Sequence, residues 1–159
     1  MREQGTQLEA LIDAAVESGA MVITDSIAWR RGEGHLKARA EVDHPTEDSF
    51  RLELQYLPLI SRFSIQLVFK GRPARRLCSD SPHTQALDCA DAPGHRMEGT
   101  HKHRWSDETG DECVYVPDDI ADSSDIEQSF YDFCSECNIS FNGVWNEPPP
   151  YAAGFEVVG

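Results

Sequence analysis

The residues of this chain best suited to chemistry stand in one short run, Gly99-Thr-His101-Lys-His103-Arg-Trp105. In an extended strand alternate side chains share a face, so His101 and His103 point the same way, with Trp105 beyond them. Two imidazoles at that spacing can share a metal ion, and neutral imidazole suits zinc, copper, iron and nickel. The stretch before them supplies His83 as a third ligand, with His95 and Cys89 as alternatives and Asp80 and Asp107 as orienting acids. The expected metal set is thus His101, His103 and His83, around zinc or another divalent ion. The same three histidines also suit metal-free catalysis. One would take a proton from a nucleophile such as a ribose 2′-hydroxyl, and another would return one to the leaving group. Arg75 or Arg76, on the strand leading into that stretch, would hold a phosphate. Against both stands the plainer reading of a surface strand bearing exposed histidines.

A second constellation, Cys134-Ser-Glu-Cys137, has the spacing of a zinc or redox motif. Both sulfurs fall on the apolar helical face that carries Phe130 and Phe133, and no second pair completes a four-thiolate site. Buried core thiols are the expectation. Phosphate loops, nucleophile elbows, HExxH helices and EF-hand loops are all absent from the sequence.

The elements that must position these residues can be read from periodicity. Leu8, Leu11, Ile12, Ala15 and Val16 recur at helical spacing after the capping-box pattern Thr6…Glu9, which predicts a helix over 7–18 that stops at Gly19. A β-meander should span 21–78. Its first strand runs over 21–30, followed by a turn at Arg31-Gly-Glu-Gly34. Leu36, Ala38, Ala40 and Val42 then alternate with polar residues, as do Phe50, Leu52, Leu54 and Tyr56, and Phe63, Ile65, Leu67 and Phe69. A short strand near 75–78 closes that region. Residues 79–98 have no period, and an irregular loop of that length is uncommon in a compact domain unless functional or disordered. A hairpin is expected over 99–117 and a helix over 125–137, with Ser124…Glu127 as its capping box. A Pro-rich tail, 146–159, comes last, in which 155–158 could add an edge strand. These elements make one domain, 1–159, of α+β class. An antiparallel meander sheet of five to seven strands is packed by an N-terminal and a C-terminal helix.

Charge is segregated along the 159 residues, whose formal net is −14. The first 77 hold 11 basic and 11 acidic residues, the remainder 3 and 17. An anionic half repels a phosphate backbone, so nucleic acid is an unlikely partner except along Arg62, Lys70, Arg72, Arg75 and Arg76, a basic strip free of acids. Arg72, Arg75 and Arg76 are its anion-binding candidates. The acidic run Asp118, Asp119, Asp122, Asp125 and Glu127 either favours a helix start or forms a docking patch, with Asp118, Asp119 and Asp122 as the contacts. No apolar run reaches 18 residues, which excludes a spanning helix and a membrane partner of that kind. Five cysteines, an odd count, and a start without an apolar leader argue against a disulfide framework and for a cytoplasmic setting.

The pattern Arg75-Arg-Leu77…Asp80…His83, Gly99-Thr-His101-Lys-His103 and Phe133…Cys137-Asn-Ile139 resembles a bacterial family of small uncharacterised proteins sharing the HxH motif, over residues 62–142. That resemblance implies a compact α+β domain with its histidines grouped near the sheet end, and no activity.

Two functions are therefore expected. The first is an acidic cytoplasmic interaction protein whose C-terminal half docks on a basic or nucleic-acid-binding protein. An inhibitor, an antitoxin-like regulator or a nucleic-acid mimic would act so. The alternative is a small histidine- or metal-dependent hydrolase or ribonuclease using His83, His101 and His103.

Overall fold

The computed structural model describes residues 8–79, 83–85, 87, 89, 93–94, 96–97, 100–107, 110, 113–115 and 125–150, apart from the side chains of 83, 84, 97 and 115. In chain order the elements are α1 (Leu8–Ser18), β1 (Met21–Ile23), β2 (Trp29–Gly32), β3 (His35–Glu41), β4 (Phe50–Leu57), β5 (Arg62–Phe69) and β6 (Arg72–Cys78). Next come β7 (His83–Thr84), β8 (Arg96–Met97), β9 (His101–Arg104), β10 (Val114–Tyr115), α2 (Ile126–Glu136) and β11 (Ile139–Phe141).

The architecture is α+β. Seven strands form one antiparallel sheet in the order β10-β9-β6-β5-β4-β3-β2, so five consecutive strands make the expected meander and the last two extend it past β6. Alternation fixes the register across this sheet. Ala38 faces Leu54, Leu54 faces Ile65 and Ile65 faces Leu77, all buried on the side that the helices cover. Ile12 and Ala15 of α1 and Phe130, Phe133 and Cys134 of α2 join the same core, which also takes in Cys137. Fully burying a side chain such as Phe130 contributes roughly 2–3 kcal/mol.

The region 21–30 is two strands rather than one. β1 leaves the sheet to pair in parallel with β11, while β2 is the sheet's edge. Polar side chains between them explain the break. The Asp25 carboxylate accepts from the Glu41 N–H at 3.1 Å and the Ser26 hydroxyl accepts from the Val144 N–H at 3.2 Å, anchoring the segment to two neighbours instead of extending a ladder.

The start of α1 is served by a distant loop, and the start of α2 differs from its local capping box. The Glu9 N–H of α1 donates to Asp107 at 3.1 Å, and the Asp107 N–H donates back to the Glu9 carboxylate at 3.1 Å. A loop 98 residues away thus serves the start of α1, while the expected cap residue Thr6 lies outside the described residues. For α2 the N-cap is Asp125, whose side chain accepts from the Gln128 N–H at 3.2 Å, one residue beyond the expected serine.

One irregularity in β6 sets which of its side chains face outward. The register shifts between Leu67 and Val68, so that Pro73 faces Val68 but Arg75 faces Leu67, and Ala74 is an extra, bulged residue. Beyond the bulge Arg75 and Leu77 lie on the helix-covered face and Arg76 and Cys78 on the outer face. Without it that parity would be reversed.

Candidate metal centre

β6 and β9 pair antiparallel with Cys78 opposite His101 and Arg76 opposite His103. Period-two alternation therefore places Arg76, Cys78, His101 and His103 on one face. The intervening Lys102 and Arg104 take the opposite one. There the buried Lys102 ammonium pairs with Glu136 of α2, and Arg104 bonds Asp13 of α1 at 3.2 Å. Arg75, also on that side, reaches the same Asp13 at 2.8 Å. Helix contacts on one side of β9 thus hold the histidines on the other.

One ligand atom each from Cys78, His101 and His103 fall within 4.8 Å of one another. The two imidazole rings are 5.1 Å apart, centre to centre, and each residue is only 2% exposed. Cys78 is a thiol with no disulfide and is partly exposed, so the Cys78 side of the cluster is its more exposed side. Tetrahedral zinc at about 2.0–2.3 Å from nitrogen and sulfur ligands requires ligand atoms roughly 3.3–3.8 Å apart. Side-chain adjustments of about 1 Å close the set on an ion. A soft thiolate with two imidazoles is a donor set for zinc or copper, not for calcium or magnesium. Arg76 borders the cluster: its terminal nitrogen lies 3.3 Å from Nε2 and 3.4 Å from Nδ1 of His103.

The expected third ligands fare differently. His83 is placed by its backbone in β7, opposite Met97, in a two-stranded ribbon separate from the main sheet. Its side chain lies outside the described residues, as do Asp80, His95, Asp118, Asp119 and Asp122. Asp107 orients no histidine of the cluster. Its carboxylate accepts from the α1 start and from the Trp105 indole N–H at 3.0 Å. Cys89 is no ligand either. It forms a disulfide with Cys113, which corrects the expectation of a chain without disulfides. The two cysteines are 24 residues apart in sequence, and composition cannot show that folding brings them together.

Cys78 is the residue that sequence reasoning missed. A short strand near 75–78 was legible, but the register that sets Cys78 beside His101 joins positions far apart in the chain. The strip of basic side chains divides between environments. Arg75 is buried against Asp13, Arg76 borders His103, and Arg72 lies over the Trp105 ring at 5.5 Å. Cys134 and Cys137 are core residues at 3% and 1% exposure, and burial pushes the Cys134 thiol up to about 12.

A separate groove of about 610 Å³ opens over β3–β5, lined among others by Asp25, Arg30, Lys37, Arg39, Glu41 and Glu53. Burial raises the Glu53 carboxyl, but hydrogen bonds from Arg51 and Gln66 outweigh it and hold the group below its ordinary range. Three acids and three bases line this groove, so it selects no one sign of charge.

Fold and cluster together define an α+β protein with a two-helix layer on an antiparallel sheet and a Cys-His-His cluster on the other face. Residues 10–139 match the family of unknown function DUF6978, and the chain belongs to that family. No curated protein and no solved structure matches it. No described helix is long and apolar enough to cross a membrane.

Proposed function

We propose that this protein binds a zinc-class divalent ion through Cys78, His101 and His103, with the fourth position open on the partly exposed side of Cys78. The convergence of three nitrogen and sulfur donors within 4.8 Å carries the reading. Three protein ligands with one open position is also the arrangement by which catalytic zinc activates water. A hydrolytic activity is therefore the natural extension, with Cys78 replacing His83 in the ligand set.

The test is metal uptake by protein purified without a histidine tag. One equivalent of Co(II) or Zn(II) per chain is expected, with a sulfur-to-cobalt charge-transfer band. Cys78→Ser should remove the band, and the double variant His101→Ala, His103→Ala should lower affinity at least a hundredfold. Stoichiometric binding that survives both sets of changes would rule this site out. Rapid alkylation of Cys78 at low pH without metal uptake would instead indicate a thiol–imidazole nucleophile.

A second reading is favoured by the segregation of charge, with 17 acidic and 3 basic residues after position 77. In it the acidic half docks on a basic partner protein, as an inhibitor or regulator would. The cytoplasmic setting belongs with these proposals. Disulfides that form in the cytosol are mostly transient, catalytic or redox-sensing.

A further inference from the structure

The histidine strand is flanked by a segment that is tied down twice. Among the described residues β10 is two residues long and is the outermost strand of the sheet, with Val114 opposite His103. So short a strand has few ladder bonds of its own. Gln85 supplements them from within the stretch that runs between β6 and β9. Its buried side chain donates to the Val114 carbonyl at 3.0 Å and accepts from the Val114 N–H at 2.8 Å, acting as one more strand beyond β10. The second tie is covalent. Cys113, the residue before Val114, is bonded to Cys89, four residues after Gln85. Disulfide and amide clamp thus fasten the same two pieces of chain to each other, immediately beside His103.

We infer that the Cys89–Cys113 disulfide is a redox latch on the Cys78/His101/His103 site, retaining the ion when oxidised and letting it exchange when reduced. This inference rests on the proposed metal site and adds its regulation. The chemistry is two-electron thiol–disulfide exchange. A dithiol reductant attacks the Cys89–Cys113 bond and closes to its own disulfide, and its two protons and two electrons leave Cys89 and Cys113 as thiols. Cys78 takes no part in that exchange. Once the cross-link is gone, the ties that remain on β10 among the described residues are its two-residue ladder and the Gln85 amide. Local opening of such an edge exposes His103, which is 2% exposed while the edge is closed.

The decisive measurement is zinc loss to excess EDTA, followed by elemental analysis of the protein. Three samples are compared: oxidised wild type, wild type reduced and freed of reductant, and Cys89→Ser, Cys113→Ser. Release from the reduced and serine forms should be at least tenfold faster than from the oxidised form, with unchanged far-ultraviolet circular dichroism. Should the serine pair fail to fold, reduced wild type carries the comparison. Alkylation of Cys78 in metal-free protein, read by peptide mass, should then accelerate on reduction. Equal zinc release, or equal Cys78 labelling, in oxidised and reduced protein overturns the latch and leaves the metal site standing. Oxidised protein that takes up no zinc overturns both.

Discussion

Single residues set the character of the cluster. His101 and His103 are buried, Cys78 is partly exposed, and Arg76 holds a cation against the His103 ring. A guanidinium there competes for the imidazole lone pair and repels an incoming divalent ion. Replacing Arg76 with Met keeps the length of the side chain and removes that charge. The Arg76→Met protein should bind Co(II) several-fold more tightly than wild type, read by titration of the charge-transfer band. Unchanged or weaker binding would mean that the guanidinium supports the site rather than opposing it. Cys134 shows the contrast between thiols. Its thiol, pushed up to about 12 by burial, stays protonated at neutral pH and has no role as a ligand.

At the scale of elements, β9 is held from behind. Lys102 points away from the histidines and is 2% exposed, so the Glu136 carboxylate of α2 fastens helix to strand through a buried ammonium. Removing one member of a buried pair costs more than replacing the cation by an apolar chain of similar size. Glu136→Ala should therefore lower stability by about 3 kcal/mol in urea unfolding, and Lys102→Met by clearly less. Equal losses would show that the pair adds net stability instead of orienting the strand. The bulge at Ala74 acts at the same scale. One inserted residue turns Arg76 and Cys78 outward and leaves Leu77 in the core.

Over the whole molecule charge is segregated along the sequence, with 17 acidic and 3 basic residues after position 77. In the first half several acids are matched by bases of the same half, as Asp13 is by Arg75 and Glu53 is by Arg51. After position 77 there are too few bases for that. A concentrated anionic field accelerates encounter with a cationic partner and weakens with salt. A fluorescent polyarginine peptide should bind wild type with an affinity that falls as salt rises. Reversing Asp118, Asp119 and Asp122 to Lys should weaken that binding at least tenfold at low salt. Unchanged binding at low salt would remove those three residues from the proposed docking surface.

The amino-acid order alone determined what depends on neighbours close in the chain. Period-two alternation over 36–42, 50–56 and 63–69 defined the meander, helical spacing defined α1 and α2, and strand alternation put His101 and His103 on one face. The placement of Cys134 and Cys137 in the core came from the same helical arithmetic. Only the tertiary structure decided what depends on contacts between distant segments. It put Cys78 beside His101, gave Asp107 to the start of α1, sent β1 to β11 and joined Cys89 to Cys113. The physical reason is that alternation specifies which side a residue faces but not which strand lies next to it. Cross-strand register is set by bulges, buried ion pairs and helix packing summed over the whole sheet, and a candidate metal site built across two strands inherits that dependence.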